Sequence, residues 1–182
     1  MIYYQMKKKD IKTTIRNFFF LNPTIKIRVR QIEKKLALPL PSVIRYCKEL
    51  KKEGILTIAE TGGVVFYTAD RASEHYLLEK KLFNIRQVHV SGLIDYLKVS
   101  LNNPVIILFG SYAKGEDIET SDIDIFIETP SKKGINVEKC ERSLQRKIQL
   151  IRSDSIKNVS NIHLANNIIN GIILNNAIEV FT

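Results

Sequence analysis

The stretch that most constrains this chain is Asn103 to Glu128, NPVIILFGSYAKGEDIETSDIDIFIE. The run Val105-Ile106-Ile107-Leu108-Phe109 has the length and branching of a buried strand. It stops at Gly110-Ser111, after which Tyr112-Ala113-Lys114 begin a short helical turn that Gly115 closes. An acidic loop, Glu116 to Thr120, leads into Ser121-Asp122-Ile123-Asp124-Ile125-Phe126-Ile127. That segment alternates polar and apolar residues at period 2, as a half-buried strand does.

The spacing points to phosphate and metal chemistry. A glycine after a buried strand lets a phosphate approach the backbone, and the start of the following helix offers N–H groups to an anion. Ser111 adds a hydroxyl donor at the same place. Asp122 and Asp124 differ by two, so both carboxylates leave one face of the strand, with Cα atoms roughly 6–7 Å apart. Hard carboxylate oxygens so placed select Mg²⁺ or Mn²⁺. Flanked by isoleucines on a buried strand, the two would repel each other without a cation between them. Gly-Ser and Asp-x-Asp are each common; the combined string is much more specific.

FGSYAKG…SDIDIFIE resembles the minimal nucleotidyltransferases of the DNA polymerase β-like superfamily, over about residues 90–182. The resemblance implies a small mixed sheet with flanking helices, and transfer of a nucleoside monophosphate from an NTP to a hydroxyl of a protein, RNA or small molecule. By position, Gly110 and Ser111 would hold the terminal phosphates, Asp122 and Asp124 the metal ions as catalytic residues, and Lys114 would lend charge to the triphosphate or stand as a solvated turn residue. The family adds a third carboxylate from a later strand. Here the later strand is Lys147 to Ile151, after a helix at 136–146, and the equivalent position is Gln149, which is neutral and a poor metal ligand. Glu128 lies about 13 Å beyond Asp124 along the strand, too far to share a site. Asp154 would approach only if the register slipped. Two readings follow: a transferase, or a DNA-binding transcriptional or antitoxin-like regulator whose transferase domain is weak or inactive.

The first third of the chain has a different pattern. Residues 7–21 space Ile11, Ile15, Phe18 and Phe19 as an amphipathic helix that Asn22-Pro23 ends. A β-favouring run, Thr24 to Arg28, precedes helical spacing through Val29, Ile32 and Leu36. A third helix, about Pro41 to Glu53, turns Val43, Cys47 and Leu50 inward, and Gly54 stops it. The period then changes to 2 at Ile55 to Ile58 and Val64 to Tyr67, with Gly62-Gly63 supplying the positive φ angles of a hairpin. This is the order of a winged helix-turn-helix, with VIRYCKELKKEGIL its most telling part. The expected fold class is therefore α+β, with a winged helix-turn-helix at 1–70, a helical connector at 71–89 and a nucleotidyltransferase-like domain at 90–182.

In such a module the second helix of the pair enters the DNA major groove. Ser42, Arg45 and Lys48, flanked by Tyr46, then point outward, while Arg28 and Arg30 could reach phosphates. Charge agrees: residues 1–70 carry 14 Lys/Arg against 6 Asp/Glu, and residues 71–182 carry 14 against 13. An excess confined to one region suits a polyanion there. The other use of such a module is protein contact, as a homodimer matching a two-fold operator or as a complex with a toxin-like protein.

The rest of the chain is read as packing. Residues 71–101 are helical with a break near Asn84–His89, and Tyr76, Leu77, Lys80 and Phe83 lie on adjacent turns. The tail is a helix over Asn161–Asn170 with Ile162, Ala165, Ile168 and Ile169 inward, followed by a strand pair from Ile172-Ile173-Leu174 and Ile178 to Phe181. His75, His89 and His163 stand alone, as surface residues do. Cys47 and Cys140 are core thiols of a reducing compartment. No apolar run reaches the roughly 18 residues of a membrane span, and MIYYQMKKKD reverses the order of a signal peptide, so a cytoplasmic location is expected.

Overall fold

The computed structural model describes residues 10–179, and the chain divides into two compact units, Met1–Tyr76 and Leu77–Thr182. Residues expected as a connector fall on both sides of that division.

In the first unit, α1 (Ile11–Leu21) starts at Asp10, whose carboxylate accepts from the Thr13 N–H, a cap that satisfies a free helix-end donor. Residues 7–9 of the expected helix lie outside the described residues. Ile15, Phe18, Phe19 and Phe20 are all buried. Phe20 goes in as well as Phe19 because it meets the Tyr76 ring edge-on, at 5.5 Å between centroids. The expected short strand is a single bridge, Ile27 to Tyr67. α2 (Val29–Leu36) and α3 (Leu40–Lys52) follow, α3 burying Val43, Cys47 and Leu50 as its period predicts. β1 (Leu56–Thr61) and β2 (Val64–Ala69) pair antiparallel across Gly62-Gly63.

α4 (Glu74–Val90) runs on without the expected break at Asn84–His89. The interruption falls at Ser91-Gly92, where the Ser91 hydroxyl bonds back to the Val88 carbonyl and accepts from the Leu93 N–H. α5 (Leu93–Ser100) then leads to β3 (Val105–Phe109), α6 (Gly110–Lys114) and β4 (Ile123–Glu128). α7 (Glu138–Leu144), β5 (Ile148–Ser153), a single 3₁₀ turn, α8 (Ile162–Ile169) and β6 (Ile172–Asn175) complete the second unit.

The second unit's sheet is mixed, in order β5-β4-β3-β6, with β4 and β5 parallel and the other pairs antiparallel. Period 2 splits its side chains cleanly. Ile106, Leu108, Ile123, Ile125 and Ile127 pack on one face with Val88, Leu93, Ile94 and Leu97. Ile107, Phe109 and Phe126 pack on the other with Ile156 and Ile168. Two tail expectations need correction. Of the α8 isoleucines only Ile168 is buried, while Ile162 is 73% and Ile169 42% exposed, because a helix lying over a narrow four-stranded sheet buries a single stripe. Ile172–Asn175 pairs with β3 rather than with residues 178–181; of those, 180–181 lie outside the described residues.

Candidate functional site

The site forms where β3 ends beside the start of β4. Register pairs Phe109 with Asp124, so the Asp124 carboxylate lies across the next residue, Gly110. Gly110 has φ +73°, and a Cβ built on it would stand 2.3 Å from Asp124 Oδ2 and 3.2 Å from its Cγ. Both the backbone angle and the space therefore demand glycine at this corner. Ser111 follows half-buried, while Lys114 is exposed at the end of α6. Gly115 closes the turn, and its N–H and that of Glu116 donate to carbonyls of α6.

Asp122 is one residue short of the strand, which begins at Ile123, and it is exposed. Asp124 is half-buried on the face of Phe126. Burial, and then the neighbouring Asp122 charge, push the Asp124 carboxyl above its usual range. The charge of Asp122 is thus felt at Asp124, which lies partly out of water.

Gln149 sits in register with Asp124 on the parallel neighbour β5. In-register partners of a pleated sheet project to one side, so the position the sequence assigns to a third acid holds a carboxamide beside Asp124. Neither substitute reaches it. Glu128 pairs with Ser153 at the opposite end of the strands, and its Oε2 accepts the Ile156 N–H at 2.6 Å. Asp154 lies past the end of β5, beside Lys132 at 3.9 Å. Among the described residues, no group of three or more His, Cys, Asp or Glu side chains is placed to hold a metal ion.

A buried polar cluster beneath this corner was missed by sequence reasoning. Lys80 and Asn84 stand one turn apart on α4, and both are buried, as is Asp117. Lys80 Nζ lies 2.8 Å from Asp117 Oδ2. The Asn84 amide donates to Asp117 Oδ1 at 2.7 Å and to the Tyr112 carbonyl at 2.9 Å. Burial draws the Lys80 ammonium below its usual range, and the Asp117 charge opposes that pull. The cluster ties α6 and the loop before Asp122 to one helix. The signal was a lysine on the apolar stripe of Tyr76 and Phe83, with a second polar residue at i+4.

In the first unit, Arg45 bonds to the Tyr46 hydroxyl, lies over its ring at 4.4 Å and approaches Glu49 at 3.8 Å. Arg28, Arg30 and Lys48 are exposed, with no ion-pair partner among the described residues. Ser42 is half-buried in the first turn of α3. Cys47 and Cys140 are buried and unpaired, and His75, His89 and His163 are exposed. No helix among the described residues is long and apolar enough to cross a membrane.

Residues 90–170 match the family model of the nucleotidyltransferase domain. That span includes Gly110, Ser111, Asp122, Asp124 and Gln149, and the mixed sheet with flanking helices fits the nucleotidyltransferase fold. No curated protein and no solved structure matches the chain.

Proposed function

We propose that the second unit binds a nucleoside triphosphate with Mg²⁺ or Mn²⁺ at Asp122 and Asp124 and transfers its nucleoside monophosphate to a hydroxyl of a protein, RNA or small molecule. The observation that carries this reading is the Asp124 carboxylate lying against Gly110 while burial, and then the Asp122 charge, raise its proton affinity. Two hard-oxygen ligands beside a backbone cradle that a Cβ would fill suit a divalent cation bridging to phosphate. Such an ion would neutralise phosphate charge.

The chain's own groups then divide the work. Gly110 lets phosphate oxygens approach the backbone, the Ser111 hydroxyl donates to them, and Lys114 adds a positive charge. In the transfer, the acceptor oxygen bonds the α-phosphorus and pyrophosphate leaves. The acceptor's proton passes to water, because the Gln149 carboxamide beside Asp124 is no base. That same residue favours a second reading, in which nucleotide is held with little turnover and the protein acts as a DNA-binding or antitoxin-like regulator.

The first unit we read as a winged helix-turn-helix that contacts DNA through α3. Arg28, Arg30 and Lys48 are its cations without an ion-pair partner among the described residues, while Arg45, engaged by Tyr46 and Glu49, would have to exchange partners. Replacing Lys48 by alanine should weaken DNA binding and lower its salt dependence by about one counterion; binding insensitive to salt would reject this role.

Labelled ATP, GTP, CTP or UTP with Mg²⁺ or Mn²⁺ tests the nucleotide reading. Binding should be lost in Asp122→Asn and Asp124→Asn, and no binding by the native chain would defeat it.

A further inference from the structure

We propose that a cleft on the far side of Gly110 from Asp124 holds the terminal phosphates of a polyphosphate through Lys81, Lys114, Asn167 and Asn170. The proposal rests on the nucleotide reading above and assigns that site a second anchor. Strand β3 lies between β4, which carries Asp124, and β6. The cleft opens on the β6 side, has a volume of about 320 Å³, and includes Phe109 and Gly110 in its wall. One glycine therefore separates the acid pair from a cavity whose lining includes two lysines, two asparagines and no acidic residue.

The two lysines are delivered together. A Cβ on Gly115 would stand 2.5 Å from the Leu77 carbonyl oxygen and 3.0 Å from the Lys81 nitrogen. The turn that ends in Lys114 and the backbone of Lys81 are thus in direct contact. The neighbouring Lys80–Asp117 pair holds α4 in that position. Neither Lys81 nor Lys114 has an ion-pair partner among the described residues, so the cleft focuses uncompensated positive charge. The Asn167 carboxamide has no partner among the described residues, and Asn170 donates to the Asn166 carbonyl at 2.8 Å. The end of α8 borders the same cleft, and two of its last carbonyls are engaged within the chain. Asn166 O accepts from Asn170, and Ile168 O accepts from the Gly171 N–H.

The test uses the full chain and inorganic tripolyphosphate, titrated calorimetrically without divalent cation. The native chain should bind, Lys81→Gln should lower affinity about tenfold, and Lys81→Arg should retain it. Lys139→Gln, at an exposed lysine of α7, should change nothing. Asp122→Asn should keep tripolyphosphate binding while losing metal–nucleotide binding, which separates this proposal from the one it rests on. With Mg²⁺ present, Lys81→Gln should weaken ATP and leave AMP unchanged if the nucleotide's tail is the source. No tripolyphosphate binding, an equal loss in Lys139→Gln, or competition by a 5′-phosphorylated oligonucleotide but not by ATP would overturn the assignment.

Discussion

Asp117 and Asp124 both leave bulk water close to the same short helix, α6, yet the chain surrounds them differently. Asp117 is 1% exposed and receives a lysine and an amide from α4. Asp124 is half-buried and receives the charge of a second aspartate, with a neutral glutamine in the next strand. A carboxylate serving the fold is given its cation by the chain itself, because an unpaired buried charge costs several kcal/mol. On the reading proposed above, a carboxylate left facing its own kind takes its cation from solution. The contrast lies in the partners each acid is given, which burial alone does not show.

The largest effect should come from altering the neutral side of the open pair. Gln149→Asp sets a third acid beside Asp124, and transfer to the acceptor should rise about 10²–10⁴-fold, the usual contribution of a positioned base. Single-turnover assays with labelled NTP measure it. An unchanged rate would mean that Gln149 does not limit the native site.

Breaking the closed pair should be nearly as large. Lys80→Met leaves Asp117 buried without its cation and should cost about 3–5 kcal/mol in denaturant unfolding. A cost below about 1 kcal/mol would show that water reaches Asp117 and that the two acids differ little.

Gly110→Ala tests the corner between them. The added methyl meets Asp124 Oδ2 at a positive φ, so stability should fall by about 1–3 kcal/mol and nucleotide binding should fall with it. Normal binding in this variant would remove the cradle from the site.

The smallest change in stability belongs to Asp124→Asn, which should raise it slightly when divalent cations are chelated. The sign follows from linkage. The folded carboxyl holds its proton more tightly than the unfolded one, whose reference value is 3.8. The aspartate's contribution therefore falls as pH rises from that value through the raised folded value, and the asparagine variant lacks this slope. Destabilisation as large as in Lys80→Met would erase the distinction between the two acids.

Much of the site could be read in advance because its signals are local. β3 ends at Phe109 and Gly110 turns where the glycine-serine corner predicts, and the Asp124–Gln149 register brings together two residues that the family resemblance had matched. Asp122 was assigned to a strand that starts one residue later, since pairing decides where a strand begins. The expected helix break near Asn84–His89 does not occur, and Asn84 lies inside α4. Its amide instead bonds Asp117 and the Tyr112 carbonyl, partners 33 and 28 residues away. Isoleucines at helical spacing in α8 left open how wide a face the sheet would cover.

The amino-acid order alone determined where helices and strands would lie and which acids would neighbour each other, since capping, turn chemistry and side-chain period act within a few residues. The tertiary structure decided that Lys80 neutralises Asp117, that β6 joins β3, and that Lys81 and Lys114 share a cleft with Asn167 and Asn170. Each of those depends on chain segments far apart in sequence meeting at a few ångströms, and that distance is set by the packing of the whole sheet and its helices.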